Sequence, residues 1–349
     1  MRAGRRRRPR GRRAVSAPRQ VVVLGASGFL GSAVVRELAA DPTVRVRAVS
    51  RRPVPLPERL AGRVEVLTGD LTERDVLARA VAGADAVLPF TARIRGASGW
   101  RLSEDDQEAE RVNVGLVRDL VALLAERPPG PGGPPAVVFP ASNTQVGRVT
   151  AERIDGSEPD RPEGVYDRQK HAAESLLKQA AARGLARAVS LRLPPVYGPG
   201  TATADDRGVV STMIRRALAG EPLTMWHDGT VRRDLLYVED AARAFTTALA
   251  HAEALSGRHF LIGTGRARPL GEVFGAVAHA VSRHTGAEPV PVVSVEPPAH
   301  ADPTDFRSLE VDPSAFTAAT GWRARTALDE ALDRTVSAVA REAGAASRP

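Results

Sequence analysis

The eleven residues Val21–Gly31, VVVLGASGFLG, constrain the fold of this chain more than any other stretch. The opening apolar run is short and β-branched, without alternation, which suits a parallel strand buried on both faces. Gly25, Gly28 and Gly31 follow at intervals of three, and Leu30, Val34, Val35 and Leu38 then recur at helical spacing. A strand that turns through glycines straight into a helix can serve as a phosphate-binding turn. The glycines permit the sharp bend and let backbone N–H groups and the helix N-terminus approach a pyrophosphate. The spacing is G-x-x-G-x-x-G rather than the commoner G-x-G-x-x-G, and a tight strand–helix turn with no ligand remains the alternative at this point.

The rhythm repeats downstream. VRVRAVS (44–50), VEVLTGDL (64–71), ADAVLPF (84–90) and VVFPASNTQVG (137–147) read as further strands, with helical segments between the third and fourth strands and after the fourth. Such alternation predicts an α/β fold, a Rossmann-type doubly wound parallel sheet. The expected division is a nucleotide-binding domain over 20–193, to which 232–262 returns, and a smaller, mixed C-terminal substrate-binding domain over 194–231 and 263–345. Where the second strand ends, an NAD site would place an acid for the ribose 2′-hydroxyl. This chain has Ser50, Arg51 and Arg52 there. Arginines suit a 2′-phosphate, so NADP(H) is expected. Asp70 and Leu71, read as ending the third strand, are expected beside the adenine.

Charge and composition exclude several classes. The formal charge is +8, but nine arginines and no acid fall within residues 1–20, leaving the remainder near −1. Residues 1–19 are expected to be a disordered basic tail, and no nucleic-acid-binding stripe is expected in the body. There is no cysteine, and the closest histidines, His279 and His284, are five apart, off the usual same-face spacing. No metal is expected. Nothing approaches the roughly 18 apolar residues of a membrane span, so a cytoplasmic protein is expected.

YDRQK (166–170) stands out because Lys170 and Lys178 are the only lysines, and Tyr166 is one of three tyrosines. Residues four apart share a helix face, so Tyr166 and Lys170 point the same way. A phenol titrates near 10 and is a poor acid–base group at neutral pH unless a neighbouring ammonium stabilises the phenolate. A lysine also reaches a ribose hydroxyl as a compact donor, which arginine's planar fork does poorly. Ser142 lies 24 residues upstream, at the polar end of the predicted fifth strand. The alternative, a surface Tyr–Lys pair, does not account for the glycine turn and Ser142.

With these motifs the chain resembles an extended short-chain dehydrogenase/reductase of the nucleotide-sugar-modifying type. The matches run from Val21 to about Trp322 and include GASGFLG, GDL, RVNVGLVRDL, YDRQK, RLPPVYGPG and HDGTVRRDLLYVEDAARAF. The resemblance implies a catalytic set of Ser142, Tyr166 and Lys170. Tyr166 would donate or accept the proton, Ser142 would hydrogen-bond the substrate oxygen, and Lys170 would hold the nicotinamide ribose. It implies cofactor contacts at Gly25, Ser27, Gly28, Phe29, Leu30, Gly31 and Pro194. It also implies a homodimer through the helical segments 103–126 and 166–183.

The family carries out 4-epimerisation, 4,6-dehydration and 4-ketoreduction of sugar nucleotides. Dehydratases place an Asp-Glu pair directly after the catalytic hydroxyl; here Asn143 and Thr144 stand there and cannot do that proton chemistry. Epimerases recycle a tightly held NAD, whereas Arg51 and Arg52 point to exchangeable NADPH. The fourth strand ends in LPFTA, and the family's Asn before VYGP is Pro195. The wording is similar to 4-ketoreductases of deoxysugar and antibiotic biosynthesis, and the arginine- and alanine-rich usage fits a GC-rich genome. The implied activity is NADPH-dependent reduction of a dTDP- or other NDP-linked 4-keto-6-deoxyhexose. A 4-epimerase with bound NAD and a non-catalytic NADP-binding sensor are the alternatives. Asn143, Thr144, Trp226, Arg233 and Arg307 are the candidate substrate ligands, the two arginines for nucleotide phosphate.

Overall fold

The computed structural model describes residues 19–54, 56–94, 102–127, 132–201, 206, 208–226, 228–297, 301 and 306–346. Of the expected tail over 1–19, residues 1–18 lie outside the described residues, and Arg19 belongs instead to the first strand.

Seven parallel strands form the central sheet: β1 (Arg19–Leu24), β2 (Val44–Ser50), β3 (Val64–Thr68), β4 (Ala86–Pro89), β5 (Ala136–Ser142), β6 (Arg187–Leu193) and β7 (His259–Leu261). Their order is β7-β6-β5-β4-β1-β2-β3. The chain winds outward in both directions from the β1–β4 boundary, the switch point at which sheets of this kind open a crevice beyond their strand ends. Helices cover both faces. α1 (Phe29–Ala40) leads from β1 to β2, and α2 (Arg74–Val81) from β3 to β4. α3 joins three continuous pieces, Gln107–Glu110, a π turn Arg111–Gly115 and Leu116–Ala125; α4 (Val165–Ala182) precedes β6.

Double coverage explains the apolar runs. Val21 and Val23 pack into one core with Val34, Val35 and Leu38 of α1. Val22 and Leu24 point into the other, with Leu77 of α2, Leu120 of α3 and Leu177 of α4. Each strand residue is buried on its own side, so no polar alternation is needed.

The other helices of eight or more residues are α5 (Val209–Leu218), α6 (Val238–Ala250), α7 (Leu270–Thr285) and α8 (Leu328–Ala346). α6 packs on α1, while α7 packs on α5 and α8. Short strand pairs join the C-terminal segments to the sheet: Glu310–Val311 runs parallel to Arg153–Ile154, just beyond Ser142. Val146, Ile154, Leu261 and Val311 form a separate apolar cluster at that junction. Among the described residues, no helix is long and apolar enough to cross a membrane.

Two strands end well short of their sequence runs, and β4 stops one residue early, at Pro89. β3 stops at Thr68, and Asp70 turns the chain by accepting bonds from the backbone and hydroxyl of Thr72 (2.9 and 2.8 Å). β5 stops at Ser142 rather than Gly147. There Ser142 caps a 3₁₀ turn over Asn143–Val146: its Oγ accepts from Thr144 N–H (3.3 Å), and Gln145 Oε1 accepts from Ser142 N–H (3.0 Å). A hydroxyl and an amide three residues apart favour that reciprocal cap over continued strand.

Candidate active site

The capped turn presents Ser142 at the carboxyl end of β5. Gly147 closes it at φ +65°, and a Cβ there would lie 1.9 Å from the carbonyl of Arg161, so only glycine fits. The Ser142 hydroxyl stands 2.6 Å from Thr144 Oγ1, and the Thr144 hydroxyl in turn donates to Asp167. Asp167 follows Tyr166 in the first turn of α4, so Ser142 is tied through two side chains to the YDRQK segment.

Lys170 approaches from the same helix. Its side chain is buried, and Nζ donates to the carbonyl of Pro140 in β5 (2.8 Å). Nζ lies 4.9 Å from the centroid of the Phe139 ring and 5.7 Å from that of Tyr166. Burial lowers the Lys170 ammonium to about 8, so it remains mainly charged at neutral pH. The expectation that Lys170 draws the phenol down is corrected here. Burial, and secondly the Asp167 charge, raise Tyr166 above its ordinary value. The ammonium is held by a carbonyl rather than by the phenol oxygen. The phenol therefore keeps its proton at neutral pH, the state a proton donor needs.

A nicotinamide dinucleotide fits the crevice between β1 and β4. Gly25, at φ +79°, brings the two strand ends together, and a Cβ on it would lie 2.7 Å from the backbone N of Thr91. Gly28 caps α1 with no side-chain acceptor, and the first turn of α1 holds no acid, which leaves its N–H groups for an anion. Thr91 Oγ1 is buried there without a hydrogen-bond partner. Ser27 is buried in the glycine turn before half-buried Phe29 and Leu30, Leu71 is buried after β3 in the cluster on the other face of the sheet, and Pro194 is buried at the end of β6. Arg51 and Arg52 are exposed after β2, and buried Ser50 donates to the Arg52 carbonyl (2.5 Å). Asp70 lies in the turn after β3, and its Thr72 bonds hold its carboxyl below the ordinary value.

The candidate substrate residues divide. Arg233 and Arg307 come together: the Arg233 guanidinium donates to the Arg307 carbonyl, and Arg307 donates to the carbonyls of Gly147 (3.3 Å) and Val149. Both therefore border the exit of the Ser142 turn. Thr144 is exposed, whereas Asn143 is buried. Trp226 is half-buried after the strand Leu223–Met225, on a different element from the Ser142 turn.

Several residues at the site were not singled out from sequence. Asn113, in the π turn of α3, donates to Gln169 (2.7 Å) and to the Arg93 carbonyl (3.2 Å), and accepts from Arg93 N–H (2.8 Å). It fixes the start of α4 against the chain leaving β4; π turns gather at functional sites, but no periodicity announces them. Gln145 joins the Ser142 cap to buried Glu174 (3.3 Å). Asp167 was inside the quoted motif, and an acid in a helix's first turn was the available signal.

Known proteins place this arrangement. The model of the NAD dependent epimerase/dehydratase family matches residues 21–263. The dTDP-L-rhamnose 4-epimerase of Burkholderia thailandensis is 26% identical, covering 93% of this chain and 96% of that protein. The dTDP-4-dehydro-6-deoxyglucose reductase of Escherichia coli is 20% identical, covering 91% and 97%. The solved structure of MoeE5 in complex with UDP-glucose and NAD superposes with a TM-score of 0.76 at 29% identity, covering 93% and 99% of the two chains. The chain belongs to the NAD-dependent epimerase/dehydratase family, within the extended short-chain dehydrogenase/reductases.

Proposed function

We propose that this protein reduces the C4 ketone of an NDP-linked 4-keto-6-deoxyhexose, dTDP-linked in the first instance, with NADPH, as a cytoplasmic homodimer. The observation that carries the reading is a capped serine tied through Thr144 and Asp167 to a helix turn that carries Tyr166 and buried Lys170, in a chain whose second strand ends in exposed arginines instead of an acid. When bound, the nicotinamide supplies hydride to C4. Tyr166 gives its proton to the developing alkoxide while Ser142 hydrogen-bonds the same oxygen. The Lys170 ammonium offsets the negative charge left on the phenol and can reach the ribose hydroxyls. Arg51 and Arg52 meet the 2′-phosphate, and Arg233 and Arg307 the nucleotide phosphates.

Purified protein, NADPH and a dTDP-4-keto-6-deoxyhexose test this, with NADPH oxidation followed and product configuration read by NMR. No NADPH-dependent loss of ketone would overturn the reading. Arg51→Ala with Arg52→Ala should weaken NADPH binding far more than NADH binding, because only NADPH carries the 2′-phosphate; equal losses remove the reason for preferring it. The likeness to a 4-epimerase over 93% of this chain favours a second reading, NAD-dependent 4-epimerisation. That reading expects NAD released on denaturation, and the 4-epimer formed from a dTDP-hexose with no cofactor added.

A further inference from the structure

Ser142, Thr144 and Asp167 form a chain of hydrogen bonds with a direction. The Thr144 hydroxyl has one proton and gives it to Asp167 Oδ1. The 2.6 Å contact between Ser142 Oγ and Thr144 Oγ1 then has only the Ser142 proton to use. A ketone oxygen accepts and never donates, so a Ser142 engaged in this way has no proton to offer it. If the carboxyl is protonated, each bond can reverse. Asp167 then donates to Thr144, Thr144 to Ser142, and the Ser142 proton turns toward the mouth. We propose that Asp167, acting through Thr144, sets the direction in which Ser142 donates, so that the site receives a ketone when the carboxyl is protonated and an alcohol when it is ionised. Asp167 is thus a positioning residue, and its part in catalysis rests on the ketone-reduction reading.

The surroundings allow the carboxyl to take a proton. Burial raises Asp167 above the ordinary carboxylate value, against the bonds from Thr144 and the Gly164 backbone and the charge of Arg168. Glu163 supports the rise. Arg168 is drawn elsewhere, donating to the Glu163 carbonyl and the Glu104 carboxylate, and the Glu163 carboxylate is paired with Arg148 (3.0 Å). From the 3₁₀ turn the facing group is the Thr144 hydroxyl, and along α4 it is the Tyr166 phenol, which an ionised Asp167 pushes up. Neutral Asp167 therefore also makes Tyr166 the better proton donor. The balance is simple: one solvent proton resides on Asp167, the Tyr166 proton goes to O4, and the array consumes none.

Two measurements test the coupling, the first without substrate. The Asp167 carboxyl is followed by ¹³C NMR across pH, assigned by its absence in Asp167→Asn. Thr144→Val removes a bond that favours the carboxylate, so Asp167 should titrate at higher pH, and Thr144→Ser should restore it. An Asp167 titration indifferent to Thr144→Val overturns the proposal. Second, kcat/KM for ketone reduction should fall as pH rises through the Asp167 titration, below the range where Tyr166 ionises. Asp167→Asn, whose amide donates to Thr144 as the acid form does, should abolish that fall. One pH unit above the wild-type midpoint, the variant should exceed wild type about tenfold. Persistence of the same fall in Asp167→Asn overturns the proposal. A shifted titration in Thr144→Val with no ketone reduction at any pH upholds the coupling and removes the reductase reading instead.

Discussion

Helix α4 carries both lysines of the chain, in opposite surroundings. At its first turns, burial drives three groups toward the neutral form: Lys170 down to about 8, and Asp167 and Tyr166 upward. Farther along, Glu174 is buried as deeply as Lys170, and burial alone would raise it. Arg192 and Lys178 outweigh that penalty and take Glu174 down to about 2. Arg192 reaches Glu174 at 2.7 Å and grips both carboxylate oxygens of Asp160 (2.6 and 2.7 Å), while Lys178 meets Glu174 at 2.7 Å. Burial is common to the two groups and partners are not. A buried charge with full partners holds a structure in place, whereas one left short of partners is poised to give or take a proton.

The comparison breaks most sharply at the poised end. On the proposed mechanism the Tyr166 hydroxyl acts on the substrate oxygen, so Tyr166→Phe should remove turnover by about 10²–10⁴-fold while sparing NADPH binding. Lys170→Arg should be comparably severe although charge is kept, because a planar guanidinium does not fit a buried slot shaped for an ammonium. Steady-state rates and cofactor titration check both; a near-normal rate in either removes that residue from the mechanism.

At the paired end the expected loss is stability. Arg192→Met takes the guanidinium from Asp160 and leaves buried Glu174 with Lys178 as its remaining strong partner, and should cost up to about 3–5 kcal/mol in urea denaturation. The sign with pH follows from Glu174, which titrates lower when folded than its ordinary 4.5. Its contribution is present above about 4.5 and is lost as pH falls toward 2. Glu174→Gln should therefore flatten the acid limb of the wild-type stability curve. An unchanged limb would mean that the cluster does not hold the fold.

This contrast was only half legible in the sequence. The strand–glycine–helix turn at Val21–Gly31 and the alternation after it led directly to the sheet, because double coverage leaves uninterrupted apolar runs. Ser142, Tyr166 and Lys170 were readable because spacing of four on a helix and a polar strand end are local facts. The early stop of β5 was not, since it depends on whether Gln145 folds back to cap Ser142. Nor was the cluster around Glu174: Arg192 and His259, which meet it, come from β6 and β7, neighbours in the sheet, and Asp160, which pairs with Arg192, comes from a third segment. Arg307 was named for a phosphate, yet its bonds to Gly147 and Val149 come from a return of the chain that no short-range pattern contains.

Poised groups should carry a stability cost that can be recovered. Lys170 titrates lower when folded than when unfolded, where it lies near 10.5. Between about 8 and 10.5 the unfolded chain binds the extra proton, so this group's contribution to stability rises with pH across that window. Below it, the buried ammonium is a steady penalty. Lys170→Met should raise stability at pH 7 by up to about 3 kcal/mol, less whatever the lost Pro140 bond contributes, while abolishing turnover. The gain over wild type should shrink as pH rises from about 8 to 10.5. Denaturant midpoints at pH 7 and 10.5 decide it, and a variant less stable than wild type at pH 7 would show the ammonium to be well solvated or well paired.

The smallest effect belongs to the other lysine. The Lys178 side chain is 33% exposed, so solvent screens its charge, and Glu174 keeps its stronger partner in Arg192 whatever stands at 178. Its second contact is with His259 Nδ1 (2.8 Å). Burial holds that imidazole toward the neutral form, and its Nε2 can donate to the Gly156 carbonyl at 3.0 Å, leaving Nδ1 to accept. A guanidinium at 178 can supply both donors in place of the ammonium. Lys178→Arg should therefore change stability by less than about 1 kcal/mol and turnover by less than about twofold. Set beside Lys170→Arg, the same exchange on the same helix becomes a measure of environment alone. If both substitutions proved equally harmful, partners and not poise would govern each site, and the distinction between the two ends of α4 would collapse.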